Sequence, residues 1–404
     1  MAFQPLRVVV ALASVTVVSL AGAGPAAAHR ADVPAYRVAT LPSLGGLVSA
    51  GVGINDRDWV EGSSDLAGDA ITHAALWRGG RVIDLKPLGG ANSAVVFPGH
   101  SDRFVVGVAE TATVNPDGEQ WSCSVFFIGP ATGHDCVGVV WRHGRPTALP
   151  TLGGHNGFAA GANRAGQIVG WAETRRRDSS CTGTQVRQFR AVLWDAGTHR
   201  AHELAPLPGD STSAATAIND LGQVVGISGA CGTAVGGVSA RHAVRWDSHG
   251  RPHNLGRIGG REWNTPLAIN DAGVIAGFAN VPGGATSASL YPHAFVWTPR
   301  TGMRDLHTLP GDLLSEGLGL NDRGQIVGES CHAHLQDCRA FLWQDGAMRS
   351  VASMVTSESA TLQNASDIND EGTITGQASS ANATVAYIAR LVDTAPHRRA
   401  AVQS

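Results

Sequence analysis

Apolar residues along this chain fall in short runs separated by polar turns, and no segment sustains a helical period. The runs recur as three phrases in fixed order. The first reads Ala217-Ile-Asn-Asp-Leu-Gly-Gln-Val-Val-Gly226, and it returns at 268–277, 319–328, 366–376, 162–170 and, more loosely, 53–62. A degenerate copy ends at Val105-Val106-Gly107, with His100 where the others have Asn. The second is His293-Ala-Phe-Val-Trp297, matched by runs ending at Trp77, Trp194, Trp246 and Trp343. Val137–Trp141 and Val385–Ala389 are its weaker members. The third is an Asp-Leu or Glu-Leu pair followed by Leu-Gly-Gly or Leu-Pro-Gly, as in Asp84-Leu85 then Leu88-Gly-Gly90. From Trp77 to Ala389 is 312 residues over six steps, a mean of 52.

Each repeat therefore predicts four short strands. The first ends at Ile-Asn, and Asn-Asp-x-Gly makes a tight hairpin with Gly in the left-handed seat. In the first repeat that seat holds Asp58, among the better non-Gly residues for positive φ. Gln-Val-Val-Gly is the second strand, the Trp run the third, and the stretch to Asp-Leu the fourth. Four-stranded sheets repeated seven times are the pattern of a β-propeller. The last repeat lacks its fourth strand, while Tyr36–Leu41, followed by Leu44-Gly-Gly46, is an orphan copy of that piece. The expected fold is thus all-β: a closed seven-bladed propeller of four-stranded antiparallel blades over 36–392, the N-terminal strand completing the last blade. Closure removes sheet edges and predicts a monomer.

Composition adds limits. Gly at 51 with only 16% charged residues fits many tight turns. Lys+Arg (30) nearly balances Asp+Glu (33), so no bulk positive field invites nucleic acid or an anionic membrane. Residues 1–28 read as a signal peptide, with the apolar run Val8–Ala21 and a small-residue cleavage site at Ala26-Ala27-Ala28. Residues 29–35 are a leader and 393–404 a disordered tail. The apolar run is too short to span a membrane, so a secreted protein without membrane insertion is expected.

Six cysteines suit an oxidising compartment. All lie between the second and third strands of their repeats. Fifteen pairings exist; the simplest joins Cys123 to Cys136 and Cys331 to Cys338 within repeats, and Cys181 to Cys231 between neighbours. Zinc held by Cys331, His332, His334 and Cys338 is the alternative.

The three phrases in this order resemble the extracellular repeats of the HAF family over about residues 36–392. The resemblance implies an exported, mostly bacterial repeat protein with no established common activity. The second and seventh repeats depart from its pattern.

The chemistry-bearing residues have structural readings first. A Trp repeated once per sheet is core filler rather than a binding platform. His73, His242 and His293 share a seat with Arg190 and Arg339. One per sheet, they cannot converge on a metal, so a structural hydrogen bond is expected. Asn-Asp-x-Gly lacks the spaced carboxylates of a calcium loop. Asn364-Ala-Ser366 and Asn382-Ala-Thr384 match the glycosylation sequon by chance. No cofactor is implied. The face carrying the disulfide loops is where a ligand is expected. There the crossovers bring His155, Asn156, Asp210, Arg261, Glu262, Trp263 and Asp312, a set suited to glycan or protein ligands. The chain has no Gly-x-Ser-x-Gly, His-Glu-x-x-His or phosphate loop, which favours a non-catalytic binding module. The alternative is a secreted hydrolase or lyase acting on glycan or cell wall, with His155, Asp210, Glu262 and Asp312 around the central opening.

Overall fold

A computed structural model describes residues 34–392, except 100, 121–122, 124–125, 128–131, 196, 233–235, 283–290, 334–335 and 357–359. The expected signal peptide, the leader up to Val33, His100, His334 and the C-terminal tail lie outside the described residues.

The fold is all-β, with five separate four-stranded antiparallel sheets from the second to the sixth repeat. In the third repeat the strands are Gly153–Ala162, Ile168–Arg177, Arg187–Trp194 and Ala201–Leu204, hydrogen-bonded in chain order. The first and last repeats share a nine-stranded sheet. They meet there in one parallel pairing, Val48 with Thr384. The first strand of the last repeat is broken into Thr361–Leu362 and Asp367–Ile368. The N-terminal strand Tyr36–Thr40 pairs antiparallel with Ala383–Leu391, from Tyr36 opposite Leu391 to Thr40 opposite Tyr387. The named helical elements are two 3-10 turns, Gly237–Ala240 and Val351–Met354, and Cys123 is also helical.

The hairpins behave as their residue types require. Asp58 has φ 56°, and Gly166, Gly222, Gly273, Gly324 and Gly372 in the equivalent seat lie at 73–89°. The glycine that ends the second-strand phrase has a different reason. A Cβ at Gly226 would run into the carbonyl oxygen of Ala214 on the paired strand, beside a register shift between Ala215 and Ala217. The close approach repeats at Gly62, Gly107, Gly170, Gly277 and Gly328.

The core lies between sheets rather than within them. Val169 and Ala191 of the third repeat pack with Val224, Val244 and Trp246 of the fourth. Ile54, Val60, Ala75 and Trp77 of the first pack with Ala386 and Ile388 of the last. The repeated Trp fills this space and also ties sheets together. The Nε1 groups of Trp77, Trp141, Trp194 and Trp246 donate to the carbonyls of Pro42, Lys86, Pro150 and Ala205, at 2.7–2.9 Å. Each acceptor sits in the crossover leading into that repeat, so the indole seals its own sheet to the preceding connection.

The cysteines pair as 123–136, 181–231 and 331–338. No described helix is long and apolar enough to cross a membrane.

Candidate functional site

The seat shared by His and Arg is structural, as its placement predicts. His73 Nδ1 lies 2.7 Å from Asp84 and His293 Nδ1 2.9 Å from Asp305. Arg190 reaches Glu203 at 3.0 Å, and Arg339 reaches Asp312 at 2.8 Å. The common element is a cation or imidazole held by an acid, which is why Arg can occupy the same seat as His.

Several of the residues expected to form the ligand face have structural partners of their own. Asp210 accepts from Ser228 Oγ at 2.7 Å and faces His242 Nδ1 at 2.9 Å. Asp312 is the partner of Arg339. Asn156 is buried; its Oδ1 accepts the Cys136 amide, and its own amide donates to Glu173 at 2.9 Å. His155 approaches Asp135 at 3.6 Å. Trp263, at φ 62°, packs over Gly236 and Gly237. Arg261 is exposed and Glu262 half-buried. Among the described residues no hydrogen bond or ion pair joins these groups from different repeats. The cysteine loops of the second and third repeats hold each other. Glu119 Oε1 accepts the amides of Val186 and Arg187, at 2.8 and 2.6 Å, while Asp117 pairs with Arg187 at 2.5 Å.

At the opposite end the Asn-Asp-x-Gly turns do more than turn. Asn219 Oδ1 accepts the amide of Gln223 within its own hairpin at 2.8 Å. Its Nδ2 donates to the carbonyl of Asn270 in the next repeat at 2.9 Å. The step repeats from Asn163 to 219, 270 to 321, 321 to 369, and 369 to Asn55. The aspartates form a parallel series. The amide of Asp220 donates to Asp271, Asp271 to Asp322, Asp322 to Asp370 and Asp370 to Asp56, at 2.8–3.0 Å. In the third repeat the Asp position is Arg164, whose amide donates to Asp220 and whose guanidinium bridges Asp220 and Asp56. Five carboxylates and one arginine thus surround a narrow central space of about 50 Å³.

Also at this end, a cavity of about 570 Å³ opens between the first and second repeats. It exists because the second repeat lacks the regular hairpin, and residues 97–99 and 101–104 leave space against Trp59 and the Arg78–Arg81 hairpin. On its floor lies Glu61, 6% exposed, with Oε1 accepting the Gly99 amide at 2.6 Å. Burial holds its carboxyl well above the ordinary range, and the charge of Asp367 adds to that, against the Gly99 bond. Equivalent positions carry Val106, Val169, Val225, Ala276, Val327 and Thr375. The guanidinium of Arg78 stacks on Trp59, 4.0 Å from the ring centre, and that of Arg142 on Phe104 at 4.3 Å. Asp102 is held by Asn55 Nδ2 at 3.0 Å and Arg57 at 3.3 Å.

A second unusual pair lies on the sixth repeat. Glu316 and Glu329 stand directly opposite on neighbouring strands, both half-buried. Burial and the facing charge push Glu316 up to about 8; burial raises Glu329 to about 7, opposed by a hydrogen bond from Asn364.

No protein-family model matches the sequence, and no curated protein matches it. Among solved structures, virginiamycin B lyase from Staphylococcus aureus is similar at 10% identity and TM-score 0.45, over 88% of this chain and 99% of that one. The β-propeller domain of the Trilobed protease from Pyrococcus furiosus is similar at 9% identity and TM-score 0.43, over 73% and 80%. Trypanosoma rangeli sialidase is similar at 10% identity and TM-score 0.37, over 78% and 56%. None reaches a TM-score of 0.5, so none bears on the chemistry of this chain.

The cavity residues had a signal in the sequence that the repeat reading passed over. Glu61 is the one acid in a column of small or apolar residues, and 97–104 is where the second repeat loses its turn.

Proposed function

We propose that the repeats form a closed seven-bladed ring, exported as the HAF resemblance and the N-terminal signal-like segment imply. It acts as a non-catalytic binding module, with its ligand in the cavity between the first two repeats. Closure is supported by the Asn and Asp series, which run from the third repeat to the last and on to the first. Arg164 spans the remaining gap to Asp56. The shared core of the first and last repeats supports it too. The three disulfides support an oxidising compartment.

The observation that carries the binding reading is the cavity itself. It has the size of a small-molecule site, apolar walls, and a buried acid where every other repeat has an apolar or small residue. The crossover face, by contrast, has its aspartates engaged in structural pairs. The test is a thermal-shift screen of the mature protein, repeated on Ile83→Trp, which fills the cavity from a half-exposed wall position. Ligands should stabilise the native protein and not the variant. Equal stabilisation of both would move the site elsewhere.

A hydrolase or lyase is the second reading, favoured by the facing carboxyls of Glu316 and Glu329. Turnover of a glycan by the native protein, abolished in Glu316→Gln, would replace the binding reading.

A further inference from the structure

If the cavity binds a ligand, as proposed above, its charge says what kind. The chain as a whole is slightly acidic, with a formal net charge of -3. The cavity is not. Arg78, Arg103 and Arg142 line it, and Arg57 pairs with Asp102 of the lining. Arg57 is neutralised by Asp102. Among the described residues, the other three have no carboxylate within 4 Å, and their side chains donate no hydrogen bond to the protein. Uncompensated arginines around one concave site raise the local concentration of anions.

Two of the three are also held in place. The guanidinium carbons of Arg78 and Arg142 sit over the rings of Trp59 and Phe104, a placement that suits the flat face of a guanidinium. It leaves their edges, where the N–H donors are, to meet a planar two-oxygen acceptor. The same stacking covers the aromatic surface on which a neutral sugar would sit. Trp59 has Arg78 on its ring and Arg57 5.7 Å from its centre. Trp141 is buried, with its indole nitrogen already bonded to Lys86. The walls between are apolar, from Leu76, Ile83, Leu85 and Val105. On the floor, the Gly99 amide occupies one oxygen of Glu61, and among the described residues no hydrogen bond reaches the other.

We propose that the cavity binds a small carboxylate with an apolar body, its acid group on the edges of Arg78 and Arg142 and a hydroxyl reaching Glu61. The site is a charge-selecting one, with Glu61 reading the far end of the ligand.

The test uses isothermal titration of the mature protein against a panel of aromatic and aliphatic hydroxy-acids. The panel includes 4-hydroxyphenylacetate and D-glucuronate, each beside its neutral amide, with phenyl phosphate as the other anion. At least one carboxylate should bind, with its amide ten-fold or more weaker. Arg78→Gln and Arg142→Gln should each lose ten-fold or more for the carboxylate and almost nothing for the amide. Both arginines stand at the rim, so circular dichroism and melting temperature should stay native. Amides that bind as well as acids in native protein, but not in Ile83→Trp, would overturn the carboxylate assignment and leave the cavity reading standing. A ten-fold preference for phenyl phosphate would overturn it in favour of phosphate. No binding by any member, or binding unchanged in Ile83→Trp, would overturn the cavity reading itself.

Discussion

Replacing Glu316 by Gln should stabilise the protein in alkaline solution and leave it unchanged in acid. Glu316 and Glu329 face each other across neighbouring strands, where their Cβ atoms are about 5 Å apart. The folded state keeps protons on them to about pH 8 and pH 7, while the unfolded chain releases them near pH 4.5. A raised acid pKa means that the folded state binds more protons between those limits. The stability they contribute is therefore fully present below about pH 4.5, falls progressively as pH rises above it, and is lost once pH has passed 7 to 8. A tenfold difference in proton affinity between the two states corresponds to about 1.4 kcal/mol. The two carboxyls perturb each other and are partly exposed, so about 2 kcal/mol is the reasonable size of the penalty at pH 8.5. Glutamine keeps the shape and carries no charge. At about 2.1 cal/mol/K per residue for a chain of this length, 2 kcal/mol is about 2–3 °C. The assay is differential scanning calorimetry of native protein and Glu316→Gln at pH 5 and pH 8.5. The variant should melt within about 0.5 °C of native at pH 5 and about 2–3 °C higher at pH 8.5. An equal change at both values, or a loss at pH 8.5, would refute the electrostatic argument.

The bonds between repeats and the disulfides can be weighed in the same way. Asn270→Ala removes the acceptor for Val274 and the donor to Asn321, so it should cost about 2 kcal/mol in denaturant unfolding. Asn270→Asp keeps the acceptor for the turn and should still lose about 1 kcal/mol, isolating the bond between repeats. Of the three disulfides, 181–231 closes the longest stretch, 50 residues, against 13 and 7. Replacing both of its cysteines with Ala should cost about 4 kcal/mol on chain-entropy grounds, and the 331–338 pair nearer 2, read from urea midpoints.

Much of the fold was legible in the sequence because local chemistry repeats. The Asn-x-x-Gly turn dictates a hairpin by itself, and Asp58 in the Gly seat has the left-handed backbone expected of it. The disulfide partners were legible because all six cysteines cluster where the second strand gives way to the third, although Cys136, Cys331 and Cys338 lie on the strands and not between them. The His seat was legible as a structural hydrogen bond, and His73 and His293 each meet an acid of their own sheet. What was not legible depends on contacts between copies. Asn219 as a turn residue needs only Gln223; Asn219 as a bond to Asn270 needs the next repeat in place. The same holds for the polar crossover residues. Asp210 and Asp312 look free in sequence and are committed once His242 and Arg339 reach them. The cavity arises where one repeat breaks the rule. A reading built on the consensus looks past segment 97–104 and past Glu61.

Ring closure by the N-terminal strand can be tested by removing it. Tyr36–Thr40 pairs over its whole length with Ala383–Leu391, and Tyr36 is fully buried. Leu41 donates to Ala386, and Thr356 to the carbonyl of Tyr36. Loss of that side chain and of several backbone bonds should cost about 5 kcal/mol or more. The direct measurement is the melting temperature of a chain that begins at Pro42, alone and with a synthetic peptide of residues 34–43, compared with one that begins at His29. A closed ring predicts a large fall in melting temperature that the peptide restores in a saturable way. An unchanged melting temperature in the truncated chain would contradict closure.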